Sequence, residues 1–199
     1  MENLYHLIAN PSSKNGVLSL KKAESVLDAK GIPYKSYICE KPLEAREISK
    51  KISNESGNIV AIGGDGTFNN IINGIEDFDK TRLGFIIGGT GNDFAEAFHV
   101  NKDACEAMNE ILLNREGTID LMEVCGRKCL NVTSTGLDIE VLRTFNNMKV
   151  FKGKIKYLIS LLITLIRFGS YRTVFKLDGK EYERNAIIIA GGNGICYGG

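Results

Sequence analysis

The sequence predicts an α/β N-terminal domain built on a parallel sheet, followed by a β-rich sandwich domain, and three observations carry that reading. Short apolar runs that end in turn-forming residues alternate with stretches of helical periodicity through the first ~118 residues. Two of those runs end in glycine clusters that hold an aspartate, Gly63-Gly64-Asp65-Gly66-Thr67 and Gly88-Gly89-Thr90-Gly91-Asn92-Asp93. After Asp120 the rhythm changes to short strands and hairpin signals.

Taken in order, Leu4 to Ala9 is an apolar strand, Asn10-Pro11-Ser12-Ser13-Lys14-Asn15-Gly16 a loop, and Val17 to Lys30 a helix. Gly31-Ile32-Pro33 stops that helix, Tyr34 to Cys39 alternates as a strand, and Pro42 to Ser56 opens with the proline favoured in a first helical turn. Ile59 to Ile62 and Leu83 to Ile87 are buried strands, each running through its glycine cluster into a helix, Phe68 to Ile75 and Phe94 to Phe98. Strands alternating with helices imply a parallel sheet covered on both faces. Beyond Asp120, Leu121 to Val124 and Cys129 to Thr135 read as an antiparallel pair turning at Gly126-Arg127-Lys128. Asp138 to Asn147 and Lys152 to Phe168 read as helices, and Arg172 to Leu177 and Glu181 to Ala190 as strands around an Asp178-Gly179 turn. The expected domains are therefore 1–118 and 119–199. The second ends on a core strand, Ile187-Ile188-Ile189, and a glycine-rich loop, which reads as a C-terminal truncation that leaves a sheet edge open.

Composition narrows the function. Lys plus Arg number 25 against 24 for Asp plus Glu, so no general field favours nucleic acid. The 22 glycines stand well above the usual ~7% while prolines number only 3, which points to specific backbone roles rather than linkers. Cys39, Cys105, Cys125, Cys129 and Cys196 are too scattered for a disulfide scaffold and fit a reducing cytoplasm. Cys125 and Cys129 lack the second ligand pair of a zinc site. No signal peptide or spanning segment is visible, since the longest apolar run, Tyr157 to Phe168, falls short of the ~20 residues a bilayer needs. The basic stretch from Lys149 to Arg172 is compatible with an anionic membrane surface, but its closely spaced leucines and isoleucines favour a helix packed on the sandwich.

Both glycine clusters sit where a parallel strand meets a helix, the crevice in which open α/β sheets bind ligands. Backbone N–H groups there can approach phosphate oxygens, and the helix N-terminus adds positive partial charge. Neither cluster completes a P-loop or a dinucleotide fingerprint. A lone aspartate in such a loop is most simply a turn former or helix cap. Two of them at adjacent sheet ends instead suggest a divalent cation held against a nucleotide triphosphate, a phosphoryl-transfer site. On this reading Asp65→Asn costs activity and leaves the fold intact, since a loop carboxylate contributes little to packing.

Gly63-Gly64-Asp65-Gly66-Thr67-Phe68-Asn69 resembles the catalytic domain of the diacylglycerol kinase family, which includes soluble bacterial lipid kinases and the sphingosine and ceramide kinases. So do Asn10-Pro11 after the first strand and Gly89-Thr90-Gly91-Asn92-Asp93-Phe94-Ala95 after the fourth. Ile119-Asp120-Leu121, Asn131 with Gly136, and Asn193 with Gly198-Gly199 follow in family order across essentially the whole chain. The resemblance implies a nucleotide domain like those of NAD kinases and phosphofructokinases, a C-terminal β-sandwich, and ATP between them. It implies nucleotide contacts at Asn10, Pro11, Ser12, Ser13, Lys14, Gly63, Gly64, Asp65, Gly66, Thr67, Phe68, Asn69 and Thr90. It implies Asp65, Asp93 and Asp120 as catalytic residues that organise Mg²⁺. The implied partner is a lipid, met transiently at a membrane surface by a cytoplasmic protein, with homo-oligomerisation left open.

NAD kinases share Gly-Gly-Asp-Gly but not Gly-Thr-Gly-Asn-Asp, which favours a lipid acceptor, diacylglycerol going to phosphatidic acid. Cys39 stands where the family often has threonine, and Gly88 where it often has proline. The family's Asp-Gly-Glu base and its structural Mg²⁺ site would follow Gly199, so the 199 residues alone are expected to be inactive. Two alternatives stay open: a non-catalytic nucleotide-binding fragment, and a kinase of a soluble substrate such as NAD.

Overall fold

The computed structural model of the chain describes residues 4–13, 15–55, 57–89, 91–151, 153–177 and 179–194. Tyr5–Ala9 forms β1, buried along its whole length, and Asn58–Gly63 forms β3, buried from Ile59 onward. Continuous apolar runs of this kind belong to central parallel strands, which have helices on both faces and no polar side to present. The two pair in parallel, Tyr5 beside Asn58 through Ala9 beside Ile62. β2 (Tyr34–Ile38) lies outside β1 and β4 (Arg82–Ile87) outside β3, giving the order β2-β1-β3-β4.

Two apolar clusters hold the helices to this sheet. On one face α1 (Gly16–Lys30) and α5 (Ala104–Leu112) place Leu20, Ala23, Leu27, Ala107 and Met108 against Leu7, Val60, Ile62 and Ile86. On the other, α2 (Pro42–Glu55) and α3 (Asp65–Ile72) place Ala45, Ile52, Phe68, Ile71 and Ile72 against Ile8, Ile59 and Ala61. The sequence reading names no helix where α5 stands. α1 ends as its glycine predicts: Gly31 takes φ +64°, a conformation open to a residue without Cβ, and its N–H reaches the carbonyls of Leu27 and Asp28.

The chain divides into two compact units, one running to Asn131 and taking up the chain again from Asn193, the other Val132–Gly192. The division comes later than the change of rhythm at Asp120 suggests, because the next hairpin is tied to the first unit. That hairpin pairs β5 (Met122–Val124) with β6 (Arg127–Cys129). The Asn73 side chain, at the end of α3, donates to the Lys128 carbonyl (2.7 Å) and accepts from its amide (2.9 Å), as a strand would. The turn falls at Cys125 and Gly126, φ +52° and +71°, rather than at Gly126-Arg127-Lys128. Paired positive φ values match the twist of a two-residue hairpin loop.

In the second unit β7 (Val132–Gly136) pairs with β10 (Ile188–Gly192), not with the segment before it, and β8 (Tyr171–Leu177) pairs with β9 (Lys180–Ala186). The expected strand Glu181 to Ala190 is thus two strands, broken at Ile187, whose carbonyl accepts the Leu137 amide (3.0 Å). The expected Asp178-Gly179 turn joins β8 to β9, with Asp178 outside the described residues. Between β7 and β8 come α6 (Leu137–Asn147) and α7 (Gly153–Arg167).

α7 corrects the expectation of a helix packed through its leucines. Among its described residues Ser160 and Thr164 are the buried ones, while Leu158, Leu162, Leu165 and Ile166 are each at least 50% exposed. Both hydroxyls donate to carbonyls of their own helix, Lys156 (2.8 Å) and Ser160 (2.7 Å), so burying them leaves no donor unmet. Being small, they let α6 approach closely, and the two helices meet at Thr144 and Thr164 (3.1 Å between hydroxyls).

Candidate functional site

The strand order creates the site. The chain leaves β1 toward α1 on one face and leaves β3 toward α3 on the other, so the loops after these adjacent strands part and open a crevice at their carboxyl ends. Its floor is a small pocket lined by Ala9, Asn10, Cys39, Lys41, Ala45, Thr67 and Asn70. Burial, and then the Glu44 charge, push the Cys39 thiol up, which favours its neutral form.

Asn10 folds the first loop around itself. Its Oδ1 accepts from the Ser12 amide (2.8 Å), its carbonyl accepts from Ser13 Oγ (2.7 Å), and its Nδ2 donates across the crevice to Thr67 Oγ1 (3.4 Å). Pro11 and Ser12 lie on the surface of that turn, and Lys14, like Thr90, lies outside the described residues.

The glycines do a job the sequence reading did not assign them. Gly88 and Gly89 both donate to the Gly63 carbonyl, at 2.7 and 3.1 Å. A Cβ on Gly89 would stand 2.6 Å from Gly64 Cα, and one on Gly88 would stand 3.1 Å from Gly16 Cα and 3.2 Å from Gly63 Cα. Three loops thus touch backbone to backbone, and any side chain would force them apart. Gly66 is different, because nothing lies within 4 Å of where its Cβ would be.

α3 begins in that open space. Its cap, Gly64, has no side chain to offer, and the Gly64 carbonyl accepts from Thr67 (2.9 Å) and Phe68 (3.1 Å). The amides of Asp65 and Gly66, in the first turn, have no intrahelical acceptor, which is the donor set that receives anions. Phe68 is fully buried, its ring edge-on to Phe85 at 4.8 Å, so no ligand can reach that ring. One turn along, Asn69 Oδ1 is buried and has no hydrogen-bond partner among the described residues.

Asp65 Oδ2 accepts the Asp93 amide (3.2 Å) and Oδ1 the Phe94 amide (2.9 Å). It therefore caps α4 (Asp93–Ala97), the helix of the neighbouring loop. Both carboxylates border Gly91, where a Cβ would lie 3.5 Å from Asp65 Oδ2 and 3.9 Å from Asp93 Oδ1. Asp120 is exposed, and its carbonyl accepts from Asn193 Nδ2 (2.6 Å), which also reaches the Leu130 carbonyl (3.1 Å). Among the described residues no three of His, Cys, Asp and Glu form a cation-holding group. The three aspartates are thus not a preassembled cluster, because Asp65 accepts two amides of α4 and Asp120 lies exposed in the segment after α5.

The residues nonetheless fit the groups that the motifs imply. Mg²⁺ takes few carboxylates and fills its octahedron with water and phosphate, as two carboxylates beside open space allow. A nucleotide would meet the bare α3 amides and the unpartnered Asn69 Oδ1. Lys41, Ala45 and Asn70 were missed by the sequence reading. Lys41 and Ala45 follow β2, whose carboxyl end opens on the same crevice, and that was the available signal.

Comparisons with known proteins bear on the family. The diacylglycerol kinase catalytic domain model matches residues 5–124, and the YegS C-terminal NAD kinase beta sandwich-like domain model matches residues 131–199. Two curated Staphylococcus aureus proteins, from strains MRSA252 and Mu3 and both carrying "Putative lipid kinase" in their names, are 29% identical over 140 residues, 69% of this chain and 46% of theirs. The match thus spans about half the length of these relatives. A solved structure of a diacylglycerol kinase from Bacillus anthracis str. Sterne is similar with a TM-score of 0.73 and 25% identity, covering 96% of this chain and 64% of that one. A second structure from the same strain has a TM-score of 0.77 at 25% identity, covering 98% and 67%. With the crevice, the glycine contacts and the Asp65 cap in place over the matched residues, the chain belongs to the diacylglycerol kinase catalytic domain family.

Proposed function

We propose that the protein is an ATP- and Mg²⁺-dependent lipid kinase whose acceptor is diacylglycerol and whose product is phosphatidic acid. The observation that carries this reading is the juxtaposition of Asp65 and Asp93 beside the bare N-terminus of α3, across from Asn10. Family membership and the names of the relatives support it. The transfer forms a bond from the acceptor hydroxyl oxygen to the γ-phosphorus, breaks the bond to the β–γ bridging oxygen, and releases ADP and a proton.

In this reading the amides of Asp65 and Gly66 bind phosphate oxygens, and Asn10 with Thr67 orients the nucleotide at the crevice wall. Asp65 and Asp93 hold the cation, with Asp120 the third candidate ligand. Mg²⁺ would supply neutralisation of the phosphate charge. The lipid is met at an anionic surface by α7, where Ile155, Leu158, Leu162 and Ile166 are exposed. From Val141 to Ser170 the charged residues are Arg143, Lys149, Lys152, Lys154, Lys156 and Arg167, all basic. In this reading attachment is peripheral and from the cytoplasm; no helix among the described residues is long and apolar enough to cross a membrane.

Radiolabelled ATP offered to the protein with diacylglycerol, a sphingoid base and NAD tests the proposal. Label in phosphatidic acid is expected. Label in NAD alone overturns the lipid reading, and Mg-ATP binding without transfer to any acceptor makes the protein a nucleotide-binding module.

A further inference from the structure

Asn92 is 9% exposed and has a left-handed backbone, φ +65° and ψ +37°, a conformation that asparagine tolerates better than most residues with a Cβ. Its side chain is committed to one neighbour. Oδ1 accepts the Gly89 amide (3.2 Å) and Nδ2 donates to the Gly89 carbonyl (3.0 Å), so a single carboxamide grips both main-chain groups of one glycine. Gly89 is the residue whose amide also reaches the Gly63 carbonyl and whose Cα lies against Gly64. A Cβ on Gly64 would fall 3.4 Å from Asn92 Oδ1, so the carboxamide lies beside the start of α3. On its other side the Asn92 carbonyl accepts the Glu96 amide (2.9 Å) and starts α4, whose first amides belong to Asp93 and Phe94.

Resting on the nucleotide reading above, we propose that Asn92 is a positioning residue, a latch that fixes the spacing between the Asp93 loop and the N-terminus of α3. Asn92 makes none of the phosphate contacts itself. Its left-handed turn and its grip on Gly89 together determine where Asp93 stands relative to Asp65 and to the open amides of Asp65 and Gly66. The latch therefore acts on the triphosphate and its cation and leaves the recognition of base and ribose untouched.

Asn92→Gly keeps the backbone conformation and removes the grip. Titration of the 199-residue chain with Mg-ATP and, separately, with adenosine, followed by amide chemical shifts, reads the two parts of the ligand apart. The expected result is a drop of about 10- to 100-fold in Mg-ATP affinity, the usual cost of losing a group that orients a site from behind. Adenosine affinity and protection of Ile59 to Ile62 against hydrogen exchange stay as in the parent. Equal Mg-ATP affinity in parent and variant overturns the latch and leaves the kinase reading standing, while equal losses for both ligands reduce Asn92 to a structural staple. A parent chain that binds no Mg-ATP brings down both. If Asn92→Gly fails to fold, Asn92→Asp takes its place: it keeps the acceptor, loses the donor to the Gly89 carbonyl, and is expected to weaken Mg-ATP with adenosine unchanged.

Discussion

Asp65 serves the fold as well as the proposed chemistry, since both its oxygens cap α4. Asp65→Asn keeps one acceptor and loses the other, which should cost about 1 kcal/mol by analogy with a lost cap. That is a fall of roughly 2–4 °C in Tm for a chain of this size. In an active form the rate should fall by ~10²–10³ as well. Thermal melting checks the first and steady-state turnover the second, and an unchanged Tm would mean that the cap carries no stability. The sequence made Asp65 visible as the acid of a glycine loop, yet gave no hint of the cap. A helix cap is recognised by short spacing along the chain, and the amides that Asp65 accepts come 28 and 29 positions later. Asn92 was hidden for the opposite reason: its partner is three residues away, but the left-handed turn that makes the grip possible is a backbone conformation no residue pattern specifies.

Among the elements, β1 carries the one buried imidazole. His6 is 8% exposed, with Nδ1 3.2 Å from the Tyr37 hydroxyl on β2 and the two rings stacked at 5.9 Å. Burial, and then the Lys35 charge, hold its pKa below the ordinary imidazole value of ~6.5, against a smaller opposing pull from Glu55. The unfolded chain therefore takes up this proton first. The stability contribution is intact above about pH 6.5 and is lost as the pH falls from there through the lower folded value. Denaturant midpoints at pH 7.5, 6 and 5 should show that decline in the parent and a shallower one in His6→Gln, and parallel curves would refute it. On α7, Leu158→Asp and Leu165→Asp should leave the midpoint within ~0.5 kcal/mol, as exposed positions do, while reducing binding to phosphatidylglycerol vesicles. Undiminished vesicle binding would remove α7 from the membrane reading. β1 and β3 were legible because buried strands are largely apolar runs that end in turn-forming residues, and β2 because its residues alternate. The break at Ile187 was not, since the apolar run continues through it and only the pairing of its carbonyl with Leu137 ends the ladder.

At the scale of the whole molecule the two units differ in how much they bury. Both apolar clusters lie in the first, whereas in the second the buried side chains among the described residues are Leu137, Val141, Ser160 and Thr164. Amide exchange should accordingly be slower at Ile59 to Ile62 and Leu83 to Ile87 than in β8 and β9, which among the described residues pair only with each other. Equal protection would show that the second unit is as cooperative as the first. The backbone contacts among Gly16, Gly63, Gly64, Gly88 and Gly89 also set a timetable. At ~5–20 residues per second, about 5–20 s of synthesis separate the first strand from the amides that Asp65 caps. A nascent chain that has reached β3 but not β4 carries the Asp65 loop without its opposing wall, so on the proposed nucleotide reading the capacity to hold a triphosphate arises late and all at once, when the Asp93 loop arrives.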